Sequence, residues 1–246
     1  MKNFIHKTAL FILLVSFIAA ISSFSILPPK TDYSNVQNIT ITLLASTHCL
    51  NDTFMKEDPY KVNQTEAMMN RNGFCAVKFV PGTLEYYLRT FETEAQANAE
   101  GWKITHKDKC GACSTLRDLA VYLHHRDLTA PVRKIAAIGF ISSWFFEGMD
   151  NLGFTEDCAK IWYYNSKNTA RECLGTCMLS WVKGEASNNQ DGSLNECLYC
   201  DEVKSGPIFQ RYAGRTRRNS GIISSIGRYE CDVYDMHHHY FDIKTL

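Results

Sequence analysis

The chain lacks net charge. Its 26 Lys and Arg balance 26 Asp and Glu, so there is no bulk attraction to nucleic acid, and an electrostatic function would need a local cluster. It also lacks internal repeats, heptads and low-complexity segments, which excludes solenoids, coiled coils and a largely disordered chain. Beyond residue 30 no uncharged run is long enough to cross a bilayer. In "PVRKIAAIGFISSWFF" (from Pro131) Arg133 and Lys134 leave about a dozen such residues, short of the ~20 a spanning helix needs. What remains, 45% apolar and 21% charged in 246 residues, is a folded globular chain with one domain of ordinary size.

The first residues, "MKNFIHKTALFILLVSFIAAISSFSILPPK", place Lys2 and Lys7 ahead of an uncharged, mostly apolar run from Ala9 to Leu27, stopped by Pro28 and Pro29. Residues 1–29 therefore read as a signal anchor with its basic end in the cytosol. The small residues Ala20 to Ser22 favour a cleaved signal peptide instead. Both send the rest of the chain to the secretory lumen or outside, as a single-pass membrane protein with a lumenal C-terminal domain or as a secreted one. Residues 30–38 read as a polar linker and 39–246 as one Cys-rich domain. The acceptors Asn38, Asn51 and Asn63 suit glycosylation in that compartment, and ten cysteines make several disulfides the default.

The organisation predicts a mainly α fold with a small β element (α+β), disulfide-stabilised. "ITITLLAS" from Ile39 and "GFCAVKFV" from Gly73 read as strands. "GTLEYYLRTFETEAQANAEGW" reads as a helix ending near Gly101, and Leu116, Leu119, Ala120 and Leu123 mark one apolar helix face. Residues from Pro131 to Phe146 predict a central, buried helix. Thr155 is a helix cap, and the capping boxes Thr169-x-x-Glu172 and Ser193-x-x-Glu196 predict two further helix starts, with a Gly/Asn/Ser loop after Lys183 between them.

Cys110 and Cys113 form a C-x-x-C in "KDKCGACSTLRDLAVYL". A redox pair needs its first thiol at a helix start, which is offered, and a buried strand feeding the motif; the approach "WKITHKDKC" is too polar to read as one. Zinc with His106 and either His124 or His125 fails on length, because a helix from Ser114 puts His124 about 15 Å from Cys113, and for a four-cysteine site closed by Cys197 and Cys200 an oxidising lumen competes for the thiols. "CGAC" resembles the first four positions of the signature around the nucleophile of papain-type hydrolases, which implies Cys113 as nucleophile and a base among His237 to His239. Ser114 then replaces Trp or Tyr, Lys107 the oxyanion Gln, and no Asn follows the histidines. Structural disulfides, internal or to separate partners, explain the motif with fewer requirements.

Arg215, Arg217 and Arg218 in "AGRTRRNSG" form a candidate anion-binding loop, alternatively a surface that pairs with Asp201 and Glu202 or a furin-type processing site. The histidines carry no acidic ligand set nearby, so no metal is assigned, and no cofactor is expected. Trp144, Phe145, Phe146, Trp162, Tyr163 and Tyr164 read as core. The chain thus reads as a membrane-anchored or secreted glycoprotein acting as a binding module. Its expected partners are the membrane, through the N-terminal helix, and a protein or small anionic ligand. A thiol-dependent enzyme using Cys110 or Cys113 is the alternative.

Overall fold

The computed structural model describes residues 27–31, 43, 46–48, 54–138, 142–236 and 238. Residues 1–26 of the expected anchor or signal, the acceptors Asn38 and Asn51, Cys49, His237 and His239 lie outside them, as does the strand expected from Ile39 apart from Leu43, which is helical, and Ser46. Among the described residues no helix is long and apolar enough to cross a membrane.

A four-stranded sheet, order β1-β3-β2-β4, is built from Thr47–His48 (β1), Phe74–Phe79 (β2), Glu85–Phe91 (β3) and Lys103–Lys107 (β4). β2 is antiparallel to β3 and to β4, and β1 is parallel to β3. The helix expected from Gly82 is corrected: its first half is β3. Tyr86 and Leu88 are buried while Tyr87 is exposed, the alternation of a strand with one face on a core. Pro81 and Gly82, at φ +74°, make the preceding turn. Only the second half is helical, α2 (Glu94–Ala99), entered by a Thr93/Gln96 capping box and following the one-turn α1 (Glu66–Met69). "KITHK", expected to be no strand, is β4, with Thr105 and His106 buried.

One face of the sheet carries Cys75, Val77, Tyr86 and Leu88 into the main core, and the other places Ala76 and Phe91 under α2 with Trp102 and Ile104. Against the first face packs α3 (Leu116–His124), whose Leu116, Leu119 and Ala120 are fully buried. Leu123, expected on that face, is 36% exposed. The single helix expected over 131–146 is two, α4 (Thr129–Ile138) and α5 (Ser142–Leu152), with Ile135 and Phe145 buried but Trp144 exposed.

Thr155 caps α6 (Glu156–Val182) as expected, accepting from the Cys158 amide. This helix runs straight through Thr169, so the capping box there is not used. The Thr169 hydroxyl instead donates to Asp201 on α7 (Glu196–Lys204). α7 starts from Asn195, which accepts from Leu198 N–H, while Ser193 is engaged with Asp191. α8 (Gly206–Ala213) follows directly. Before the sheet, the part of the expected linker that the structure describes is docked. Thr31 N–H donates to Asn151 O (2.7 Å), and Asn151 Nδ2 to Pro28 O (3.1 Å).

Candidate functional site

The C-x-x-C lies where the end of β4, the start of α3 and the end of α8 meet, and its cysteines have separate partners. Cys110 is bonded to Cys75 on β2 and Cys113 to Cys158 on α6. Two elements that flank α3 in sequence are thereby fastened to its N-terminal end. The thiolate that redox exchange or a hydrolase would use is absent, since both sulfurs are spent.

The backbone tells the same story. Catalysis at a helix start needs free N–H groups to hold a thiolate or an oxyanion. Here Cys110 N–H donates to Thr90 Oγ1, Gly111 N–H to Ser114 Oγ, Ala112 N–H to Tyr212 O and Cys113 N–H to Ala213 O. The glycine of "CGAC" also has a packing reason. A Cβ on Gly111 would lie 2.5 Å from Tyr212 O, and one on Gly214, at φ +71°, 2.5 Å from Gly111 N. Two backbones touch, and only glycine permits it.

Arg215 follows Gly214 and turns inward, with no exposed surface. Its Nη1 donates to Thr105 O (2.8 Å) and Ser220 Oγ (3.3 Å), Nη2 to Thr105 Oγ1 (2.6 Å) and Ser114 O (3.1 Å), and Nε to Cys113 O (3.2 Å). The guanidinium fork thus ties β4, the C-x-x-C turn and the 218–220 turn together. Arg217 donates to Tyr122 O (2.9 Å) and His125 O, satisfying carbonyls left open at the end of α3. Arg218 pairs with Glu202 at 2.7 Å, as does Arg228 at 2.6 Å. The three arginines therefore point to three places, and do not make the flexible loop expected of them. The Arg218 to Ser220 stretch is a 3-10 turn with Asn219 and Ser220 buried, so a processing protease would find no extended chain there.

Two buried groups beside this junction, His106 and Asp118, have roles that the sequence did not assign to them. His106 Nδ1–H donates to Lys107 O (2.7 Å), and Nε2 accepts the Ser114 hydroxyl (2.8 Å). Burial holds this imidazole well below its usual pKa, and the charge of Arg215 adds to that. It resembles a catalytic Ser–His pair only on paper, because both residues are fully buried. Asp118 accepts from Thr155 N–H (2.9 Å), Thr155 Oγ1 (2.8 Å) and Thr115 Oγ1 (2.6 Å), joining the caps of α3 and α6. Burial pushes its carboxyl up to about 6 against the pull of those donors.

Among the described residues no three His, Cys, Asp or Glu side chains gather as metal ligands would, and His238 Nε2–H donates to the backbone carbonyl of Ser220 (2.8 Å). The aromatic group expected as core is mixed: Phe145 is buried, Phe146, Trp162, Tyr163 and Tyr164 pack on the core from its edge, and Trp144 is exposed.

A group of exposed apolar side chains lies on the C-terminal half of α6. Cys173–Cys200 and Cys177–Cys197 staple the C-terminal half of α6 to α7. Along another side of α6, Leu174 (58% exposed), Met178 (46%) and Trp181 (65%) follow at i, i+4 and i+7, one stripe in water. The spacing was legible in "LGTCMLSWV", but periodicity alone does not separate a core stripe from a bare one.

A family model described as a family of unknown function (DUF8771) matches residues 143–236, which takes in α6, α7, α8 and the arginines but neither the sheet nor the C-x-x-C. No curated protein and no solved structure matches the chain.

Proposed function

We propose that the chain is an exported glycoprotein, anchored by its N-terminal apolar run or secreted after its removal, whose domain is a binding module for another protein. The observation that carries the reading is the stripe of Leu174, Met178 and Trp181 on a helix held by two disulfides. A cluster of exposed apolar side chains usually marks an interaction surface, and Trp is a favoured anchor. The staples fix the face before binding, so little ordering entropy is lost on contact. The stripe lies along an exposed helix side flanked by both signs, Lys167 and Arg171 with Glu172, which suits a protein surface better than an anion or a nucleic acid. Four disulfides suit an oxidising compartment. Asn63 and Thr65 are exposed, so a glycosyltransferase can reach that acceptor.

A photo-crosslinking residue at Met178 of the full chain, in the cells that express it, tests the reading. The expected result is one discrete protein adduct, lost in Trp181→Lys while secretion and Tm stay unchanged. A diffuse smear that survives Trp181→Lys, or a collapse of Tm in that variant, would sink it.

A further inference from the structure

We propose that the pole of the domain formed by Pro28 to Thr31, the C-terminal end of α3 and the segment at Ile223 rests on the lipid bilayer, with Leu123 and Ile223 at the headgroup boundary and Lys30 and Arg126 at the lipid phosphates. The inference rests on the anchored form of the reading above and adds the orientation of the domain.

The argument is one of length. The run from Ala9 to Leu27, at 1.5 Å per residue, spans about 28 Å, against a hydrocarbon core of ~30 Å. An anchor therefore uses the run up to Leu27 and leaves no slack. The fold begins at the next residue: Pro28 O accepts from Asn151 Nδ2, Thr31 N–H donates to Asn151 O, and Thr31 Oγ1 meets His125 Nε2 at 3.1 Å. A chain reaches at most about 3.6 Å per residue, and a headgroup layer is about 5 to 7 Å deep. Asn151 and His125 then sit at the lipid surface, because no linker intervenes.

The side chains gathered there fit that surface. Arg217 Nη1 donates to both Tyr122 O (2.9 Å) and Ile223 O (3.4 Å), which brings the 223 segment against the end of α3. Leu123 is 36% and Ile223 70% exposed. Arg126, whose carbonyl accepts Ser225 N–H (3.1 Å), and Lys30 are exposed beside them. Aliphatic tips with basic heads at their margin suit the acyl–headgroup boundary. Asp127 is also exposed and Asp150 pairs with Arg117 (3.5 Å), so the pole is not strongly basic, and tethering rather than charge holds it down.

The test uses the full chain reconstituted into phosphatidylcholine vesicles with acyl chains brominated near the headgroup, in the variants Ile223→Trp, Arg126→Trp and Glu92→Trp, the last an exposed site next to the strand end where Thr90 holds Cys110, at the opposite end of α3. After subtraction of the parent's emission, the signal added at 223 and 126 is expected to fall about twofold relative to unbrominated vesicles, and that at 92 to stay unchanged, because bromine quenches only at contact. Equal quenching at all three, or none at 223 and 126 in a chain that resists alkaline carbonate, overturns the orientation and leaves the anchor standing. Extraction of the chain by carbonate removes the anchor, and the orientation with it.

Discussion

The junction around Arg215 and the hairpin of α6 with α7 hold together by different means. At the junction Gly111, Gly214, His106, Ser114 and Arg215 interlock, and the buried polar groups meet carbonyls or hydroxyls at hydrogen-bonding distance. In the hairpin α7 has no buried residue at all, and the C-terminal half of α6 buries only Cys173 and Ser180. Two disulfides stand where a core would be, the usual solution when too little apolar surface can be covered. The junction is specific because removing any partner orphans another, whereas the hairpin leaves its apolar side chains free for outside use.

The contrast can be broken most severely at Arg215. Arg215→Ala leaves the carbonyls of Thr105, Cys113 and Ser114 unpaired in a dry site, and is expected to cost about 3 to 5 kcal/mol by denaturant titration. Removing Cys113–Cys158 in a paired Ser variant deletes a constraint 45 residues long in sequence and is expected to cost about 4 kcal/mol, read as a global loss. The paired Ser variant of Cys177 and Cys197 should act differently: amide exchange rises within α7 and the end of α6, while the sheet keeps its protection. Equal loosening everywhere would show that the hairpin is not a separate unit.

Acid sharpens the comparison, since the junction holds two fully buried titrating groups, His106 and Asp118. His106 is kept neutral, so its folded pKa lies below the unfolded ~6.5; its contribution is whole above that pH and is lost as pH falls. Asp118 works in the opposite sense. Its carboxyl is raised to about 6, so the protonated form adds stability at low pH that disappears as pH rises from about 4 to 6. The two slopes oppose each other in that window. Asp118→Asn should unmask the histidine and steepen the acid loss by up to about 1.4 kcal/mol per pH unit, measured as ΔG of unfolding between pH 6 and 4. The smallest effect belongs to the hairpin: Trp181→Lys is expected to change stability by less than about 0.5 kcal/mol.

What was legible in the sequence was local. β2 announced itself by alternation, Thr155 by its acidic first turn, and the oxidised cysteines by their even number and context. β3 was misread because "EYYLRTF" runs without a breaker into "ETEAQANA", whose helical composition coloured the whole stretch. Thr169 and Ser193 carry cap spacings that other partners claim, Asp201 on α7 for Thr169 and the near neighbour Asp191 for Ser193. Arg215 looked like surface because nothing in "AGRTRRNSG" reveals that Gly214 abuts Gly111. All its acceptors but Ser220 are more than a hundred residues earlier in the chain, and that information exists only in the fold.

The order of the cysteines bears on how the protein is made. Cys110 finds Cys75 already translated before it, but Cys113 emerges three residues later with its mate, Cys158, still unmade. At about 5 to 20 residues per second, that thiol waits for several seconds beside a disulfide it is able to attack. Biosynthesis of this domain therefore passes through an interval in which its own C-x-x-C can scramble, and a lumenal isomerase should raise the yield of correctly paired chain.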